Sequence, residues 1–238
     1  MEPKVIYENE DFLVLDKPAG WIVNSAETTK GQKVLQEWLK NLKYPLSGNN
    51  AFRSGIVHRL DKETSGILLV AKNEVAFYSI QAQFKERKVQ KKYLALLHGR
   101  LTVKEGEIKT TVGRLPWNRK RFGILPGGRE SDTSYRVMDE YEGQGKIYSL
   151  VEFMPKTGRT HQLRIHAKYI SHPIVADDFY AGRKTARQDR LWCTRLFLHA
   201  QAISFLDPKT NKRISYHSNL PNDLTNGLNS LEKLSKTL

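Results

Sequence analysis

A single cysteine, Cys193, in 238 residues excludes an internal disulfide and any cysteine-based zinc cluster. No apolar run approaches the ~20 residues of a membrane-spanning helix. The opening residues MEPKVIYENEDF lack the basic start and apolar block of a secretory signal, so a cytoplasmic setting is expected. Nucleotide-triphosphate motifs are missing too: there is no G-x-x-x-x-G-K-[ST]. In GQGKIY, Tyr148 stands where a dinucleotide loop needs its third glycine. Ser65, in ETSGI, is not in a G-x-S-x-G elbow. His161 and His166 stand five apart, the wrong spacing for two metal ligands on one helix face, so both read as structural histidines and no metal is expected. What remains is a globular chain, 39% hydrophobic and 27% charged, long enough to bury a substantial core.

Acidic residues are also in short supply, 25 against 39 Lys plus Arg, which gives a net charge of +14. Such an excess favours a polyanionic partner, nucleic acid before anionic membrane. The basic residues are clustered rather than spread. RLPWNRKRFGILPGGR, from Arg114 to Arg129, holds five basic residues and no acidic one, and KERKVQKK, from Lys85 to Lys92, holds five against one. Lys156 to Arg195 holds nine against three. Trp117, Phe122, Tyr180 and Trp192 are interleaved with these clusters. Aromatic faces among cations suit RNA with unpaired bases, which stack on them.

KVIYE and FLVLDKP around the polar turn ENED read as a hairpin ended by Pro18 and Gly20. In GQKVLQEWLKNLK, Val34, Leu35, Trp38, Leu39 and Leu42 recur at helical spacing. After a loop over 44–55, Ile67 to Ala71 form a continuous apolar run, the pattern of a strand covered on both faces. Asn73 caps a helix to about Lys88, with Ala76, Ile80 and Phe84 stacked along it. VQKKYLALLHG reads as a strand, and further strands are expected at 107–113, 131–138, 146–154, 195–206 and 213–217. Helical pattern returns in THQLRIHAKYI and at the C-terminus, where Leu224, Leu228, Leu231 and Leu234 form one stripe. Helices interrupt the strands without strict alternation. The expectation is one α+β domain over 1–238 on a mixed, largely antiparallel sheet.

The chemistry centres on GIVHRLDKETSGILLVAKN, residues 55–73, which sets Arg59 and Asp61 beside the apolar strand. A reactive carboxylate must be ionised, rigid and shielded from water. Burial raises its pKa unless a cation stands beside it. Arg59 and Lys62 are local candidates for that cation, and Arg164, set among Leu163, Ile165 and Ala167, is a distant one. The same residues suit a surface aspartate among surface arginines, and spacing alone does not separate the two.

HRLDKETSG at 58–66 and TGRTHQLRIH at 157–166 together resemble the signature of the RluA-type family of pseudouridine synthases, which isomerise uridine in ribosomal and transfer RNA. DKPAG at 16–20 resembles that family's first motif, and KKYLAL at 91–96 the segment of its active-site tyrosine. The resemblance keeps the family's motif order and runs from about Val5 to Leu220. It implies that Asp61 is the catalytic aspartate, that Arg164 pairs with it, and that Tyr93 stacks on the flipped uracil. It also implies that Leu163 packs beneath the base and that Arg59 inserts where the base stood. His58, Arg159 and His161, inside the same two motifs, are expected to contact substrate, as are Arg119, Lys120 and Arg121.

The implied reaction breaks the C1′–N1 bond of a uridine, rotates the held uracil and joins C5 to C1′. Nothing is oxidised, reduced or hydrolysed, so no cofactor is expected. Asp61 acts as a covalent partner or as a base, and the sequence leaves both open. Large-subunit ribosomal RNA is the first substrate expected, with transfer RNA the alternative, and a monomer is expected. Many relatives carry an RNA-binding domain ahead of the catalytic one, and with DKPAG at residue 16 the expectation is a catalytic domain without that module. Two rivals stand beside this reading. A methyltransferase wants a glycine-rich cofactor loop that DKPAGW does not supply. A non-catalytic RNA-binding or ribosome-assembly factor on the same fold has no need of Asp61, Tyr93 and Arg164.

Overall fold

The computed structural model describes residues 1–118 and 121–235, so Arg119 and Lys120, two of the expected RNA contacts, lie outside the described residues. Strands and helices follow in the order β1 (Lys4–Glu8), β2 (Phe12–Lys17), α1 (Leu35–Leu39), β3 (Ser65–Ala71), α2 (Glu74–Lys85), β4 (Gln90–His98), β5 (Glu105–Arg114), β6 (Phe122–Ile124), β7 (Arg129–Gly143), β8 (Lys146–Pro155), α3 (Gln162–Tyr169), α4 (Arg183–Asp189), β9 (Leu198–Leu206), β10 (Arg213–His217), α5 (Asn222–Asn229) and β11 (Glu232–Lys233). The fold is α+β. The chain packs as two compact units, residues 1–91 with 200–219, and residues 92–199 with 220 onward.

In the first unit the strands lie in the order β1, β2, β3, β9, β10. β1–β2, β2–β3 and β9–β10 pair antiparallel. All seven residues of β3 are buried, which explains its unbroken apolar run. Gly66 has φ +112°, and a Cβ there would sit 2.2 Å from the Ala200 carbonyl oxygen. The glycine of the HRLDKETSG motif is therefore what lets this strand lie against its neighbour. Helix α2 begins where expected: the Asn73 side chain accepts from the Ala76 amide at 2.9 Å. It buries Ala76, Phe77, Ile80 and Gln83. Gln83 grips β9 with both ends of its amide, donating to the Leu206 carbonyl and accepting from the Leu206 amide.

In the second unit the strands run β4, β8, β7, β5, β6, with β11 beside β7. β4–β8, β7–β8, β5–β7 and β5–β6 are antiparallel. Helix α3 packs Leu163 and Ala167 into a core that includes Ala95, Leu97, Val151, Phe153 and Ile174. Two expectations are corrected. The first helix is short, Leu35 to Leu39, with Lys40 to Leu42 in a 3-10 turn. The C-terminal leucine stripe does not lie on one helix, because α5 ends at Asn229 and the chain turns to pair β11 with β7, Glu232 opposite Glu142. Leu231 is buried against Gly143, where a Cβ would lie 2.4 Å from its Cδ2. Among the described residues no helix is long and apolar enough to cross a membrane.

Candidate active site

Asp61 is half-buried in the loop that enters β3, with Leu60 buried before it and Arg59 exposed. That loop is a hydrogen-bonded turn: the Thr64 amide donates to the Asp61 carbonyl at 3.2 Å. The turn is pinned from below by the DKPAG segment. Lys17 is fully buried, and its Nζ donates to the carbonyls of Pro18 and Trp21 at 3.0 Å and of Lys62 at 3.3 Å. The Gly20 amide also donates to the Lys62 carbonyl, at 2.7 Å. A buried ammonium is costly unless its protons are taken up, and these carbonyl dipoles take them. Lys17 thus fixes the backbone one residue past Asp61.

His58 is built into the framework of the same unit. Its Nε2 accepts from the Leu69 amide of β3 at 2.9 Å, and its ring lies 5.0 Å from that of Phe84 on α2. Burial, and secondarily the charge of Lys91, push its pKa down to about 3, so the imidazole is neutral. A neutral ring is what accepting a strand amide requires.

In the second unit Tyr93 is half-buried on β4, opposite Phe153 of β8 and packed against the core. Leu163 is a core residue, 7% exposed. The loop between β8 and α3 is held by Gln162, which sequence reasoning passed over. Its Oε1 accepts from the Thr157 hydroxyl and the Arg159 amide, and its Nε2 donates to the Asp132 carbonyl and the Thr133 hydroxyl. Every polar atom of this buried side chain serves to shape the TGRTH turn, in which His161 takes the left-handed φ of +56°. Arg159 reaches back from the turn, its Nε donating to the Glu130 carbonyl at 2.9 Å.

Arg164, 4% exposed, projects from α3 onto a second residue that sequence reasoning missed, Asp177. Nε and Nη2 donate to the two carboxylate oxygens of Asp177, each at 2.8 Å, and Asp177 is fully buried. The guanidinium also lies 5.3 Å from the Phe179 ring centre and 5.2 Å from that of Tyr180. His161 joins this cluster through Nδ1, 3.0 Å from the Tyr180 hydroxyl, which donates to the Phe122 carbonyl. Arg121 joins it over the Phe179 ring at 5.6 Å. The structure therefore brings Arg121, His161 and Arg164 together around Phe179 and Tyr180, while Arg59, His58 and Asp61 share one segment of the other unit. Asp177 carried one weak signal in sequence, as one of three acids in a strongly basic stretch.

His166, next on α3, is fully buried with Nε2 2.7 Å from the Ser131 hydroxyl and 3.0 Å from that of Thr110. Burial lowers its pKa to about 4. It ties the helix to β7 and β5, the structural part expected of it. Among the described residues, no group of three or more His, Cys, Asp or Glu side chains is gathered as for a metal ion.

The family described as RNA pseudouridylate synthase matches residues 11–169. An uncharacterized RNA pseudouridine synthase of Bacillus subtilis (strain 168) is 34% identical over 98% of this chain and 74% of its own length. Ribosomal large subunit pseudouridine synthase C of Vibrio cholerae serotype O1 is 35% identical over 98% of this chain and 70% of its own. Among solved structures, human RNA pseudouridylate synthase domain containing 1 superposes with a TM-score of 0.75 at 28% identity, covering 98% of this chain and 89% of that one.

Proposed function

The chain belongs to the RNA pseudouridylate synthase family and is an RNA pseudouridine synthase, an isomerase; on that premise we propose that its substrate is a uridine of large-subunit ribosomal RNA and that Asp61 is the reacting side chain. The observation that carries the reading is that the matched span, residues 11–169, contains DKPAG, HRLDKETSG, KKYLAL and TGRTHQLRIH in order. The name of the Vibrio cholerae relative supports the choice of RNA.

In this reading the uridine leaves its stack, at a cost of a few kcal/mol. Tyr93 stacks on the extruded uracil, and a contribution of ~1–3 kcal/mol offsets much of that cost. Arg59, exposed, fills the place the base vacates, and Leu163 lies beneath the base. Asp61 acts at the ribose, as nucleophile at C1′ or as base. The C1′–N1 bond breaks, the uracil turns, C5 bonds to C1′, the C5 proton leaves and N1 ends protonated. Arg164, buried on α3, presents a directed donor to the reaction. Arg159, His161 and the Arg119, Lys120 and Arg121 segment meet the flanking RNA, where cations and the exposed Trp117 suit phosphates and unpaired bases. The chain acts as a monomeric catalytic domain.

Pseudouridine mapping across total RNA from cells with and without the gene tests this directly, using carbodiimide labelling and primer-extension stops. A stop that disappears from large-subunit ribosomal RNA is the expected result. One that disappears from transfer RNA moves the substrate. An unchanged map, together with no activity of the purified protein on unmodified transcripts, overturns the proposal.

A further inference from the structure

Asp177 lies outside the matched span and outside every motif that marks the family here. It is nevertheless the residue to which Arg164 is most plainly fitted. Its Oδ2 accepts from Arg164 Nε and its Oδ1 from Nη2, each at 2.8 Å, the parallel fork that guanidinium geometry favours. The carboxylate is itself held by its own chain. Oδ1 accepts from the amides of Phe179 and Tyr180 at 2.9 and 3.1 Å. The rings of those two residues then lie beside the guanidinium, with their centres at 5.3 and 5.2 Å. One short segment, 177–180, thus fixes the guanidinium in its plane through the carboxylate and supplies aromatic surfaces against it.

Stability alone does not account for such an arrangement, since a buried ion pair gives little over well-packed apolar side chains of similar size. Orientation accounts for it: the fork leaves the direction of Nη1, the nitrogen Asp177 does not take, with no freedom to swing. We propose that Asp177 is a positioning residue for the isomerisation. It holds Arg164 at the angle the reaction needs and neutralises its charge, so that Arg164 acts as an aimed hydrogen-bond donor instead of a mobile cation. This rests on the reading that Arg164 serves the reaction.

The test uses the full chain and an unmodified large-subunit ribosomal RNA transcript carrying tritium at uridine C5, the atom whose hydrogen isomerisation must expel. D177N keeps the shape and the acceptor for the two amides but removes the charge and sets an NH2 against an N–H donor. Its single-turnover rate falls about 100-fold, as misplacing a reacting group by an ångström does, and its melting temperature falls because the buried guanidinium loses its counter-charge, while its RNA Kd, measured below that melting temperature, stays near that of the wild type. A rate within threefold of wild type overturns the proposal. So does a weaker Kd with an unchanged rate on bound RNA, the mark of a merely structural role. If D177N does not fold, D177E, with the charge on a longer arm, is expected to fold and be slowed. Wild-type turnover by D177E, or failure of both variants to fold, removes the positioning role. D61N in the same assay separates the two readings: if it releases no tritium while D177N keeps the wild-type rate, only the role of Asp177 falls. Tritium release by D61N overturns the underlying assignment.

Discussion

Lys17 in the first unit and Arg164 in the second are both buried cations, 0% and 4% exposed, each built into a motif of the family, but they are satisfied in opposite ways. Lys17 donates to the carbonyls of Pro18, Trp21 and Lys62. Arg164 meets the carboxylate of Asp177 as a fork. An ammonium is a compact charge with three donors, so it gathers backbone dipoles from several directions and organises a loop around itself. A guanidinium is planar and rigid, so a carboxylate organises it. In one unit the cation does the positioning, and in the other the cation is positioned.

This contrast predicts unequal costs. Arg164→Met leaves the Asp177 carboxylate buried and unpaired, and a loss of about 3–5 kcal/mol in denaturant unfolding is expected. The double variant with Asp177→Leu recovers most of it; a double variant no more stable than Arg164→Met breaks the contrast. Lys17→Met leaves the three carbonyls of Pro18, Trp21 and Lys62 without their donor, so about 1–3 kcal/mol is expected. Equal costs for the two single substitutions would show that the nature of the partner does not matter.

The units also each hold a neutral histidine, half-buried His58 and fully buried His166, which sharpens the comparison through pH. The pKa of His58 falls from 6.5 to about 3 and that of His166 from 6.5 to about 4, in both cases first through burial. With the folded values depressed, the unfolded chain binds these protons first as pH falls below 6.5. Stability therefore declines between pH 6.5 and about 4, and the His58 share of the decline continues toward pH 3. Urea midpoints across this range should fall less steeply in His166→Gln, with the difference from the wild type confined above pH 4, whereas in His58→Gln it persists lower. Identical slopes in both variants and the wild type would remove the histidines from the account.

The smallest effect concerns the surface. Charge reversal at Arg119, Lys120 and Arg121 should weaken RNA binding and reduce the salt slope by about 0.7 for each single-strand phosphate no longer neutralised. An unchanged salt slope moves the footprint off this segment.

Much of this was legible in sequence wherever one element carried its own cause. The apolar run 67–71 declared a covered strand, Asn73 declared a helix start, and Asp61 stood out because a charge beside such a strand is expensive. The C-terminal leucine stripe misled because Leu231, though at helical spacing from Leu224 and Leu228, is buried beside Gly143 after the helix has ended. Lys17, Gln162 and Asp177 were not legible as supports. Lys17 meets the Lys62 carbonyl 45 residues away, Gln162 meets the Thr133 hydroxyl 29 away, and Asp177 meets Arg164 13 away. Such residues reveal themselves through partners that only folding supplies, whereas the residues they hold in place were visible as motifs.

The central claim is that Asp61 carries the isomerisation, and Asp61→Asn tests it most directly, since the change keeps shape and removes one negative charge. Tritium release from C5-labelled large-subunit ribosomal RNA and RNA affinity would be measured side by side on wild type and variant. No release with a nearly unchanged Kd is the result expected. Release at the wild-type rate would contradict the account and place the chemistry elsewhere in the chain.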